Sequence, residues 1–84
     1  LTGTHMEDAN LRDSRLQNAD LSGANLTRVN LRDSSLIEAN LREATLHDAV
    51  IRDADFRGVT LPDGTRYEPG VDLSRFGVRG KPRH

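Results

Sequence analysis

At 84 residues with no cysteine, the chain has room for one domain, no disulfide to hold it and no thiol chemistry. Charged residues make up 30% of it, yet the formal net charge is only −1. No apolar run approaches the roughly 20 residues of a membrane span, and no charged amino-terminal region leads into an apolar stretch as a signal peptide requires. The expectation is a small soluble cytoplasmic domain that does not associate with membranes.

From the first residue a large apolar side chain occupies every fifth position: Leu1, Met6, Leu11, Leu16, Leu21, Leu26, Leu31, Leu36, Leu41, Leu46, Ile51, Phe56 and Leu61. Five is a multiple of neither 3.6 nor 2, so a straight helix or strand would scatter these residues around its axis. One core collects them only if the backbone turns a corner in every pentad, winding as a solenoid. Two residues before each centre stands a small one, such as Ala9, Ser14, Ala19, Ala24 or Ala39. Residues two apart in extended backbone point the same way, so small and large fill the interior together. The other three positions face water. Gly3, Gly23 and Gly58 each lie two after a centre, where a corner calls for positive φ.

Residues 10–14 (Asn-Leu-Arg-Asp-Ser) recur at 30–34 and, more loosely, at 50–54. The offset of 20 is four pentads, which makes 20 residues one coil. The centres then stack as Leu11, Leu31 and Ile51; Leu16, Leu36 and Phe56; Met6, Leu26 and Leu46; and Leu1, Leu21, Leu41 and Leu61. About three such coils at a strand spacing of roughly 4.8 Å make a stub about 15 Å tall.

The pentads Ala-Asp-Leu at 19–21, Ala-Asn-Leu at 24–26 and 39–41, and Ala-Asp-Phe at 54–56 resemble the unit A(D/N)LXX of the pentapeptide-repeat family. The resemblance covers residues 1 to about 63. It implies an all-β fold, a right-handed quadrilateral β-helix of about three coils over residues 1–61. The register already holds at Leu1, so the repeat is expected to continue from a longer array or to follow an unseen segment. A homodimer or an upstream domain would cover that uncapped end.

The rhythm stops at Leu61, where Pro62-Asp63-Gly64 signals a turn. Tyr67, Val71, Leu73, Phe76 and Val78 follow, and residues 62–78 read as a carboxy-terminal cap with one helical turn at about 71–76. Residues 79–84, Arg-Gly-Lys-Pro-Arg-His, read as a disordered basic tail.

Chemistry is sparse. Stacking at 20 residues puts Arg12, Arg32 and Arg52 in one column, with Asp13, Asp33 and Asp53 beside it. Two readings stay open: a self-neutralised, solvated ladder, or a stripe that recognises a partner. Ile37, apolar at an outward position, is a candidate for the same contact surface. A cation site is disfavoured, because calcium needs six to eight oxygens in one shell and arginines flank this column. His5, His47 and His84 do not form the tight tetrahedral set zinc takes. Ser14 and Ser34 occupy inward positions with no base beside them, and Glu7-Asp8 lies on an exposed edge without a pocket. The expectation is therefore no catalytic residue, no metal and no cofactor.

Residues 1–63 hold eleven acids and seven arginines, and residues 64–84 hold five basic groups against two acids. The solenoid is thus mildly acidic and is not expected to bind nucleic acid directly. The leading expectation is a non-catalytic structural or protein–protein interaction module, the terminal part of a larger protein, with its partner unidentified. The alternative that the resemblance implies is a DNA mimic that binds a bacterial type II topoisomerase (gyrase).

Overall fold

The computed structural model describes residues 3–83. Its backbone is a ladder of single-residue parallel bridges between residues 20 apart, from His5–Asn25 and Asn10–Asn30 through to Asn40–Thr60. The chain corners after every bridge, so each side of the winding is one bridge long and no extended strand develops.

The pentad 29–33 shows why the repeat has its composition. The Val29 N–H closes a β-turn onto the Leu26 carbonyl (3.1 Å), the Asn30 N–H reaches back to Ala9 (2.9 Å), and the Leu31 and Asp33 N–H groups reach forward to Val50 (2.8 Å) and Arg52 (3.1 Å). The fifth N–H, on Arg32, donates to the Asn30 side-chain carbonyl at 3.1 Å. Every backbone donor of the pentad is therefore paired, as buried amides require. The asparagine serves its own turn, since a short acceptor side chain reaches the N–H two residues on. Asn10, Asp20, Asn25, Asn40 and Asp55 make the same contact.

From Gly3 to Gly58 the corner residue two after each centre lies at positive φ, as the third residue of a type II turn must, whereas after Leu61 the positive φ falls on Gly64 and not on Asp63. Gly3, Gly23 and Gly58 are there at 69–72°, as the sequence suggests, but so are nine non-glycine residues at 58–63°, Arg28, Glu38 and Glu43 among them. Aspartate and asparagine tolerate this region, whereas longer side chains are strained in it. Glu43 is exposed and in no ion pair among the described residues. Glu43→Asn is accordingly expected to stabilise the fold by up to about 1 kcal/mol, read as a higher urea midpoint at unchanged slope.

Large and small inward residues together make the core. Leu21, Leu26, Leu31, Leu36, Leu41, Ile51, Phe56 and Leu61 are fully buried, with Ala24, Ala39, Ala49 and Ala54 between them. Ser34 is buried as well, and its hydroxyl donates to the Leu31 carbonyl at 2.6 Å, so it is satisfied filler. Met6, Leu11 and Leu16 of the first coil are only half-buried, because no described residue lies over that end.

The other end is closed by the cap. Thr60 and Arg66 form an antiparallel bridge and the Tyr67 N–H donates to Val59 at 2.8 Å. This seats the Tyr67 ring edge-on against Phe56, with centroids 5.7 Å apart. The helical turn is shorter than the expected 71–76. It is a 3-10 turn at Ser74–Phe76, started by the Ser74 N–H on Asp72 and ended by Gly77 at φ 78°.

Residues 79–83, read from the sequence as a disordered tail, pair with the last coil in the structure. Arg79 bridges Val50 in parallel, donating to Ala49 (2.7 Å) and accepting from Ile51 (2.9 Å). Further on, Lys81 accepts from Asp53 (3.0 Å) and Arg83 donates to Ala54 (2.7 Å). The reason is backbone demand: the last coil presents outward-facing amides and carbonyls, and the tail satisfies them. The cap therefore runs past 78, and His84 lies outside the described residues.

Two carboxylates hold the cap's turns. The Thr65 hydroxyl and N–H bonds keep Asp63 below its ordinary value, and those from Ser74 do the same for Asp72. Their contribution is present above the unfolded value near 3.8 and is lost as pH falls through the lower folded value. Hydrogen exchange should show the cap loosening below pH 3.8 before the solenoid does, with Asp63→Asn flattening that dependence.

Candidate interaction surface

The Leu11–Leu31–Ile51 stack brings the predicted columns together. Asp13 donates its N–H to the Arg32 carbonyl at 3.0 Å and Asp33 to that of Arg52 at 3.1 Å, so each arginine lies one rung above the last. Asp53 donates to Lys81 in the same way at 3.0 Å. The structure thus adds a fourth basic rung that the sequence does not reveal. Lys81 follows Arg52 by 29 residues rather than 20, because the cap intervenes. Pro82 stands at the following place, so the aspartate column ends at Asp53. With Arg79 on the same layer and Arg83 reaching Asp33, the tail gives an otherwise balanced stack three extra positive charges. The stack around Leu21, Leu41 and Leu61 carries Asp20, Glu43 and Asp63 against Arg42, with Arg75 of the cap paired to Asp63 at 2.6 Å.

The ladder does not neutralise itself tightly. Arg12 approaches Asp13 and Asp33 only at 4.0 and 3.7 Å, and Arg83 approaches Asp33 at 3.8 Å. Arg32, Arg52, Asp53 and Lys81 are in no ion pair among the described residues. Off the ridge, Arg15, Arg42, Glu43 and Glu68 are likewise in no ion pair among the described residues, while other charges pair closely. Arg28 makes two hydrogen bonds to Asp8, at 2.6 and 3.0 Å, which lower the Asp8 carboxyl and raise the guanidinium. Arg57 grips Asp55 in a similar fork, which raises the Arg57 guanidinium. A shallow hollow of about 370 Å³ lies among Arg12, Arg32, Asp33, Arg52 and Asp53.

Ile37 is not part of this surface. It belongs to the Leu36 stack, in line with Gln17 and Arg57, and is half-buried. His5 and His47 sit on the surface beside Glu7 and Asp48, and no group of three metal-ligating side chains occurs among the described residues. A larger hollow of about 870 Å³ opens in the cap, rimmed by Arg57, Arg66, Lys81 and Arg83. Three of these cations are already held, by Asp55, Glu38 and Asp33. No helix among the described residues is long and apolar enough to cross a membrane.

A right-handed β-helix is the fold of pentapeptide-repeat proteins. The family's description, pentapeptide repeats, matches this chain in eight copies over residues 1–28 and 24–61. The chain therefore belongs to the pentapeptide-repeat family. It is similar to HetL, a pentapeptide-repeat protein involved in heterocyst differentiation regulation in the cyanobacterium Nostoc sp. strain PCC 7120, at 30% identity over 80% of this chain and a TM-score of 0.44. It spans only 40% of that protein's chain. It is also similar to alr5209, a pentapeptide-repeat protein of Nostoc PCC 7120, at 29% identity over 92% of this chain and 80% of the other, with a TM-score of 0.37. No curated protein matches the chain.

Proposed function

We propose that the chain is a four-sided β-helix of about three coils serving, without catalysis or cofactor, as a cytoplasmic protein–protein interaction module. Its contact surface is the ridge of Arg12, Arg32, Arg52 and Lys81 beside Asp13, Asp33 and Asp53. One observation carries this reading: the inner arginines are unpaired on a ridge whose every rung is fixed by backbone hydrogen bonds. A regular array of charge on rigid backbone gives a partner orientation and register, which is the main use of electrostatic complementarity in recognition. A photo-crosslinking residue at position 32 should capture a defined protein in an extract of the source cell, and one at position 43 should not. Equal labelling from both positions would remove the ridge from the reading.

The acidic stack around Leu21, Leu41 and Leu61 favours a second reading, a DNA mimic that binds a type II topoisomerase. The basic ridge on the other side argues against it. Supercoiling by gyrase, unchanged at high concentrations of the protein, would exclude it.

A further inference from the structure

We infer that the ridge is self-complementary and that its partner is a second copy of this chain, the two lying side by side and parallel. The inference rests on the interaction reading above and names the partner. Each rung carries an arginine and, next to it, an aspartate: Arg12 with Asp13, Arg32 with Asp33, Arg52 with Asp53. Stacking sets these pairs at one spacing, roughly 4.8 Å. A two-fold axis parallel to the stack, passing between two facing ridges, exchanges the columns and preserves height. The arginine column of one copy then faces the aspartate column of the other, rung for rung, and the reverse holds on the far side of the axis. An isologous interface requires this self-matching.

The antiparallel arrangement fails. A two-fold axis across the ridge sets arginine against arginine and aspartate against aspartate, and like charges at such distances repel. A polyanion fits no better, since each aspartate repels it beside the arginine that attracts it. The groups that need partners are also the right ones: Arg32, Arg52 and Asp53 are in no ion pair among the described residues. Pro82, not an aspartate, follows Lys81, so the fourth rung contributes no cross-pair and confines the match to three.

A ridge about 15 Å tall buries far less than the roughly 1,200–2,000 Å² of a stable dimer. The association is therefore weak and salt-sensitive, with a dissociation constant of about 0.1–1 mM at low ionic strength. It should weaken at least tenfold in 0.5 M salt.

Sedimentation velocity and NMR diffusion at 0.02–1 mM protein test it with two triple variants. One carries Arg12→Asp, Arg32→Asp and Arg52→Asp; the other carries Asp13→Arg, Asp33→Arg and Asp53→Arg. Arginine is admissible at the latter corner position, since Arg28 already occupies it at φ 59°. Circular dichroism establishes that both variants fold. The wild type should dimerise at low salt, each variant alone should stay monomeric, and an equimolar mixture should form a heterodimer. A wild type monomeric at 1 mM and low salt would overturn the inference, as would a mixture that does not associate. If position 32 still crosslinks to a different protein in that event, the interaction reading stands without self-association. If it crosslinks to nothing, both fall.

Discussion

Replacing Phe56 with alanine is expected to cost about 3–5 kcal/mol, the usual range for emptying a fully buried aromatic site. Phe56 is the largest of the side chains with no exposure, and it is the centre on which the cap rests. The Tyr67 ring packs edge-on against it, while the Tyr67 backbone is pinned to Val59 and Thr60 bridges Arg66. The cap cannot settle into the vacated space without breaking those contacts, so the cavity persists. Met6→Ala in the first coil makes the contrast: Met6 is half-buried and has no described coil over it. A solenoid's stability is roughly a sum of coils and the interfaces between them, so a side chain with a neighbour on one side only carries less. Its loss should cost about 1 kcal/mol. Urea unfolding followed by circular dichroism at 25 °C compares the two. Equal losses would mean that the apolar centres do not share one axis.

The core was legible because one physical rule runs through it. A large side chain every fifth residue has a single economical solution, and Leu21 to Leu61 are buried as that solution requires. The columns of Arg12, Arg32 and Arg52 and of Asp13, Asp33 and Asp53 followed from the same offset of 20. The strain at Arg28, Glu38 and Glu43 was not legible, because glycine marks the corner at only three places while the fold imposes positive φ at every corner from Gly3 to Gly58. The side-chain acceptor that defines the family's Asn/Asp position was visible as composition but not as a bond. The same offset puts Ile37 in the Leu36 stack beside the ridge, but an outward apolar residue does not itself say whether that stack makes a contact. The pairing of the tail was not legible for a deeper reason. Its residues, Arg79 to Arg83, carry neither the apolar period nor a turn signature. They are ordered by what the last coil lacks, a property of the surface they meet.

Deleting residues 79–84 therefore tests whether that surface needs covering. The deletion removes four backbone hydrogen bonds: Arg79 to Ala49, Ile51 to Arg79, Asp53 to Lys81 and Arg83 to Ala54. Each is worth a net 0.5–1.5 kcal/mol or so, and the groups left behind can turn to water, so the expected loss is about 2–4 kcal/mol. The ion pairs Arg79–Asp48 and Arg83–Asp33 are exposed, at 3.3 and 3.8 Å, and add little. Position-resolved hydrogen exchange separates this from a general destabilisation. The Ile51 and Asp53 amides, whose acceptors are in the tail, should lose protection first, while the Leu31 amide, bonded to Val50, keeps it. A disordered tail would leave all three unchanged. The freed edge should also associate at high concentration, because unpaired backbone recruits other edges. That association would persist in 0.5 M salt, where screening weakens pairing through the charged ridge, so the two modes of self-association separate in one titration.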